Sequence, residues 1–244
     1  MRAVRPFDLA LAPLRATGWR LVEAQHRVST LKLTDSLVAQ AVLEDILEDT
    51  KPPIPPDCVG LDYLLATPFR YRPYPHGSRF RRAGLTPGVW YGAERCETAV
   101  AEMVFYRFLF YAESPTTPFP ANAADYTGFS VGVAAEALDL TGQDDSALSH
   151  PVDYGACQAV ADRARDAGAG IIRYRSVRDP KGGANLAVLS CSAFAARAPK
   201  SRQSWRIRIS AAGGQALCDH PRRGLEFGPD AFADPRLEGM VWAR

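Results

Sequence analysis

One glutamate stands in an apolar setting where a carboxylate needs an explanation. Residues 97–111 read ETAVAEMVFYRFLFY, and apolar side chains cover nearly all sides of the helix that this run predicts. Glu102 lies in the middle of the run, where it must be paired, protonated or open to a cleft, because an unpaired buried charge is very costly. Arg107, about 140° around the helix, is a poor partner. A structural ion pair with another arginine and a catalytic carboxylate that stabilises developing positive charge both remain open.

A second stretch combines arginines with aromatic rings. Residues 69–82 read FRYRPYPHGSRFRR, with five arginines and no acidic residue. Guanidinium groups on diphosphate oxygens and rings on bases suit a dinucleotide. The same residues suit RNA or single-stranded DNA, or a solvated loop beside an acidic partner. The stretch alone favours none of the three.

A third cluster reads RYRSVRDPKGG over residues 173–183, where a predicted strand runs into a glycine-rich turn. A basic hairpin is its simplest interpretation. The sequence contains no GxGxxG after a strand and no P-loop motif, and no HExxH is present. The four histidines are scattered, and the five cysteines have no C-x-x-C pair, so we expect neither a metal site nor a disulfide framework.

The elements that must position these residues are mixed helices and strands without regular alternation, which favours an α+β fold. Helices are predicted at Trp19 to Val28, Asp35 to Asp49, Cys96 to Tyr111 and His150 to Ala167. Strands are predicted at residues 88–92, 126–133, 171–176, 185–189, 205–210 and 215–218. Thr34 or Asp35 would cap the second helix, and the prolines of residues 52–56 end it.

These motifs together resemble the RES domain. The resemblance covers roughly residues 60–215. Its matching points are Arg70-Tyr71, G-S-R-F with Arg79, P-G-V-W-Y with Tyr91, the E-T-A-V-A-E helix with Glu102, and R-Y-R-S-V-R with Ser176. The chain departs from the commoner G-G-R-W-N form at Ser78, Phe80 and Arg81.

The resemblance implies an ADP-ribosyltransferase-like mixed sheet, with NAD as cosubstrate and cleavage between nicotinamide and ribose. It implies the toxin half of a toxin-antitoxin module whose partner is an Xre-like DNA-binding antitoxin. Some members of the family pass ADP-ribose to water or phosphate, and others modify a protein. Cleavage develops oxocarbenium charge on the ribose, which the carboxylate of Glu102 would stabilise.

The other site residues are carried over by the same motifs. Arg70 and Arg79 would bind the diphosphate, Tyr71 and Tyr91 would stack on or orient the nicotinamide riboside, and Ser176 would hydrogen-bond the nicotinamide end. The predicted catalytic set is Glu102, Arg79 and Ser176.

Length and charge set the remaining expectations. The 244 residues suit one core with an extension, which we place at residues 1–58 as a helical segment before a RES domain at 59–244. A net charge of +2 offers no general field for nucleic acid or membrane, so we expect the protein to bind neither directly. The cysteine pattern fits a reducing cytoplasm, where we expect the protein to act. The extension offers docking surface, which favours a protein acceptor for ADP-ribose. The rival class is a non-enzymatic nucleic-acid module, which gives Glu102 no role.

Overall fold

The computed structural model describes residues 9–24, 33–71 and 74–244, and these form a mixed α+β fold around one sheet. The strands are β1 (Leu11–Glu23), β2 (Trp90–Ala93), β3 (Ala124–Asp139), β4 (Ile171–Arg175), β5 (Ala184–Val188), β6 (Ser201–Ser210), β7 (Gly213–Cys218) and β8 (Arg223–Phe227). The helices are α1 (Leu37–Asp49), α2 (Tyr63–Arg70), α3 (Cys96–Glu113) and α4 (Gly155–Asp166). The α+β prediction is confirmed. Within the described ranges, no helix has the length and apolar character needed to cross a membrane.

Five of the strands close on themselves. β1 pairs antiparallel with β3 along its whole length, from Leu11 opposite Leu138 to Glu23 opposite Tyr126. β1 also meets β2, which pairs in turn with β5, and β5 pairs with β4. β4 then runs parallel to the last residues of β3. The order β1-β2-β5-β4-β3 therefore forms a ring, and β6, β7 and β8 extend from the first half of β3.

Apolar side chains on both faces of these strands hold the helices. One cluster joins the ring strands to α2, with Trp90, Phe129 and Leu186 fully buried. A second joins α3 to β6 and β7, and a third joins α4 to β4 and β5. α3 is buried on most sides, as its apolar sequence predicts. This packing fixes the position of Glu102 on α3 relative to the sheet.

The first 58 residues differ from the predicted helical extension. The helix predicted at Trp19 to Val28 is wrong for residues 19–23, which belong to β1, and residues 25–28 lie outside the described residues. Leu21 of β1 is buried in the same cluster as α3. The segment before residue 58 therefore supplies a strand of the central sheet, because pairing with β3 and burial of Leu21 outweigh its local helical pattern.

The helix predicted at Asp35 to Asp49 is confirmed as α1, with Ser36 rather than Thr34 or Asp35 as its N-cap. The Ser36 hydroxyl accepts from the backbone N–H of Ala39 at 3.1 Å. The apolar side of α1 stays exposed in the described structure, with Leu37 75% and Val38 76% accessible.

In the part of the chain that the structure describes, a single disulfide joins Cys58 to Cys191, with their Cα atoms 5.3 Å apart, and the cysteine pattern did not predict it. The cysteines are 133 residues apart in the sequence, and spacing alone did not reveal their proximity. Cys58 lies shortly before α2, and Cys191 lies in the turn after β5. With Asp57 they also form a group of three metal-type ligands, but the disulfide leaves no thiolate to bind an ion.

Breaking this cross-link should destabilise the fold. Because the bond closes a loop of 133 residues, Cys58→Ser is expected to lower the free energy of unfolding by about 2–5 kcal/mol. Urea titrations of the oxidised protein with and without a reducing agent should show the same difference. The reducing agent should have little effect on Cys58→Ser, and an equal effect on both proteins would contradict the assignment.

Candidate active site

A cavity of about 590 Å³ lies where the ring meets α3. Its wall includes Trp19 and Arg20 of β1, Tyr91 of β2, Glu102 of α3 and Asn185 of β5. Its volume lies in the range of small-molecule sites. A smaller cavity of about 390 Å³ lies nearby and contains none of the predicted site residues.

Glu102 reaches this cavity with most of its carboxylate held by donors. Its Oε1 accepts from the Ser176 hydroxyl and from the Asn185 amide, each at 2.7 Å. Its Oε2 accepts from the guanidinium of Arg178 at 3.2 Å. The Glu102 side chain remains 19% exposed. The sequence left open whether this carboxylate pairs with an arginine or faces a cleft. Both are present, because the ion pair with Arg178 holds Glu102 at the cavity wall.

Ser176 lies behind Glu102 and is not among the cavity residues. Its hydroxyl donates to Glu102 and accepts from the backbone N–H groups of Arg178 at 3.2 Å and Asp179 at 2.9 Å. These bonds use its one proton and both lone pairs. The expected contact between Ser176 and nicotinamide therefore does not fit this geometry, and Ser176 is a positioning residue for Glu102.

Arg178 is the carboxylate's ionic partner, and the sequence analysis did not single it out. Its guanidinium donates to the Tyr154 hydroxyl at 2.8 Å and lies 4.6 Å from the centre of the Phe105 ring. Burial alone lowers the pKa of Arg178, but the charge of Glu102 raises it above its ordinary value. The sequence signal that could have identified Arg178 is its position in the R-Y-R-S-V-R cluster, two residues after Ser176.

The turn after Ser176 is built by Asp179. Its carboxylate accepts from the Thr98 hydroxyl at 2.7 Å and from the backbone N–H of Gly183 at 3.1 Å. A Cβ on Gly183 would lie 2.1 Å from the Thr98 hydroxyl oxygen, so a larger residue cannot fit without movement. The glycine-rich turn thus allows β5 to carry Asn185 close to α3.

Arg79 lies at the cavity, but its guanidinium is largely occupied. NH1 donates to the Leu148 carbonyl at 2.7 Å and NH2 to the His150 carbonyl at 2.9 Å. Its guanidinium also lies 4.9 Å from the centre of the Tyr154 ring. Arg79 is 5% exposed, and its hydrogen bonds tether the loop before α4. It therefore has fewer free N–H donors for a diphosphate than the sequence analysis assumed.

Tyr91 lies in the cavity wall, whereas Arg70 and Tyr71 do not. The Tyr91 hydroxyl contacts the Ser78 hydroxyl at 2.8 Å and accepts from the Phe80 N–H at 3.0 Å, and burial raises its pKa. Arg70 bonds to the Pro52 carbonyl and to a carboxylate of α1. The predicted diphosphate role of Arg70 therefore has no support in its position.

Arg20 is a cavity arginine that the sequence analysis did not select. It lines the cavity from β1 and donates to the Tyr91 carbonyl at 3.4 Å. Burial lowers its pKa to about 10, which leaves it charged at neutral pH. Among the described residues, no carboxylate forms a salt bridge with Arg20 (the ion pairs in that part of the chain involve other arginines). It was missed because its segment was assigned to a helix.

Comparison with known proteins places the chain in a family. A family model described as the RES domain matches residues 54–210. A search of curated proteins gives no significant match. Among solved structures, the crystal structure of the M. tuberculosis MbcT-MbcA toxin-antitoxin complex is similar over 79% of this chain and 85% of that chain, with a TM-score of 0.45 and 16% identity. The family match spans more than half of the 244 residues, and the chain belongs to the RES domain family.

Proposed function

We propose that this protein is the toxin of a toxin-antitoxin module and that it cleaves NAD between nicotinamide and ribose. The observation that carries the proposal is the carboxylate of Glu102, fixed by three donors at the wall of a cavity of about 590 Å³. Membership of the RES family supports the choice of NAD.

The chemistry follows from that placement. As the bond between the ribose C1′ and the pyridinium nitrogen breaks, its electron pair leaves with neutral nicotinamide, and positive charge develops on the ribose. A fixed carboxylate stabilises that charge without reorganising. An oxygen of the acceptor then adds to C1′ and gives up its proton. Ser176 and Arg178 hold Glu102 in place for this step.

The rest of the cavity suits the other parts of NAD. Arg20 would hold the diphosphate, and Arg81 would assist it, because its guanidinium lies 4.3 Å from the centre of the Tyr74 ring and its Nε has no partner among the described residues. Arginine forks match diphosphate oxygens. The ring of Tyr91, whose hydroxyl is already engaged, would orient the nicotinamide riboside.

The acceptor for ADP-ribose is the finer part of the proposal. The sequence analysis favours transfer to a protein because it treats residues 1–58 as a separate docking surface. This argument is weaker in the structure, since β1 places part of that segment in the sheet. Incubation with labelled NAD and cell lysate distinguishes the outcomes. A labelled protein supports transfer, whereas free ADP-ribose or its phosphate ester supports NAD depletion, and no release of nicotinamide refutes the enzyme. Co-expression with the adjacent open reading frame tests for an antitoxin.

Arg20 provides a test of the substrate orientation. Arg20→Gln should raise the KM for NAD about 10- to 100-fold, because a charged hydrogen bond to the diphosphate is lost. Arg15→Gln is the matched control, since Arg15 lies exposed on the same strand, and its KM should change less than about 3-fold. Steady-state nicotinamide release measures both. Equal effects at the two positions would indicate a diffuse basic surface.

A further inference from the structure

One buried polar atom beside Glu102 has no partner. Asn185 is 4% exposed and lies in the cavity wall. Its Nδ2 donates to Glu102 Oε1 at 2.7 Å, while its Oδ1 has no hydrogen-bond partner among the described residues. A carboxylate only accepts, so the amide nitrogen must face Glu102 and the amide oxygen must point elsewhere. An unpaired buried acceptor destabilises the protein, and a ligand donor would remove that cost.

Two hydroxyl groups near Glu102 and Asn185 are already engaged. The Ser176 proton is used by Glu102, and the Tyr91 hydroxyl is engaged with Ser78 and Phe80. Glu102 Oε2 accepts one described bond, from Arg178, and a carboxylate oxygen accepts two. Two acceptor positions therefore remain unfilled, one on Glu102 and one on Asn185, and both side chains line the cavity.

We propose that Asn185 is a substrate-binding residue that accepts a hydrogen bond from one hydroxyl of the nicotinamide ribose, while Glu102 accepts from the neighbouring hydroxyl. A vicinal diol carries two adjacent donors, which matches two adjacent acceptors. Asn185 thereby selects a ribose over a deoxyribose at the reacting sugar. This inference rests on the proposed cleavage of NAD.

The test compares NAD with its two analogues that lack either the 2′- or the 3′-hydroxyl of the nicotinamide ribose. The wild-type protein should turn over each analogue about 10- to 100-fold less efficiently, because one buried acceptor is left unpaired. In Asn185→Ala the penalty for one analogue should fall to within about 3-fold, and the penalty for the other should remain. Asn185→Val, a β-branched residue suited to a strand, serves as the second variant if alanine prevents folding.

Ser176→Ala is the matched control, because Ser176 donates to the same oxygen at the same distance but has no free acceptor. It should lower kcat for all three substrates and leave both penalties unchanged. Retention of both penalties in the Asn185 variants overturns the inference. A third analogue, 3-acetylpyridine adenine dinucleotide, lacks the carboxamide N–H donors of nicotinamide. If the Asn185 variants lose the penalty for this analogue alone, Asn185 binds the carboxamide and the inference is also overturned. If the wild-type protein does not consume NAD, both the proposed function and this inference are refuted.

Discussion

Replacing Glu102 with glutamine is expected to reduce the kcat for nicotinamide release by about 100-fold or more, equivalent to about 2.7 kcal/mol of transition-state stabilisation. Glutamine keeps the size of the side chain but removes the charge that faces the developing oxocarbenium. It also places an amide nitrogen among groups that now donate to Glu102, namely Ser176, Asn185 and Arg178. The measurement is single-turnover nicotinamide release at saturating NAD.

Glu97→Gln is the control for this substitution. Glu97 lies on the same helix and pairs with Arg223, away from the cavity, so its loss should change kcat less than about 3-fold. Thermal unfolding should show that both variants remain folded. A folded Glu102→Gln protein with unchanged turnover would end the catalytic assignment.

Removal of residues 1–56 is expected to yield an insoluble or unfolded chain. The truncation deletes β1, whose 13 residues pair with β3, and leaves the backbone N–H and C=O groups along that side of β3 without partners. It also uncovers the cluster in which Leu21 is buried beside α3, and it removes Arg20 from the cavity. Our sequence analysis treated this segment as an extension before the domain and did not predict β1.

Soluble expression, circular dichroism and NAD turnover measure the effect. A shorter deletion of residues 1–8, which precede β1, is the control and should keep soluble protein with turnover close to the full chain. A soluble, NAD-cleaving chain that begins at Asp57 would show that β1 is dispensable and would restore the segment as a docking module.

Local sequence signals predicted the elements that carry their own pattern. The apolar run of α3 and the amphipathic pattern of α1 appear in the structure as helices. β1 was missed because its strand state depends on β3, more than 100 residues away in the sequence, and short patterns can be read as helix or strand. β8 was also missed, although it pairs with β7, which lies just before it in the sequence.

The site was predicted in part by motif. Glu102 and Tyr91 lie in the cavity wall, and Ser176 contacts Glu102. The functions of the arginines were harder to predict, because residue type does not show which guanidinium is already engaged. Arg79 is tied to backbone carbonyls, whereas Arg20 has no carboxylate partner among the described residues. Only tertiary structure separates an arginine that tethers a loop from one available to an anion.

The closed order of strands limits how a protein could be recognised at this cavity. β5 has a strand along both sides, β2 and β4, whereas β1 and β2 meet only at Trp19 and Ala93. An extended peptide therefore cannot add itself as a further strand beside β5, which carries Asn185. β8, at the far end of the sheet, pairs with β7 on one side and offers an edge for such pairing in the described part of the sheet. A protein that received ADP-ribose would reach Glu102 by inserting a side chain into the cavity rather than by pairing with β5.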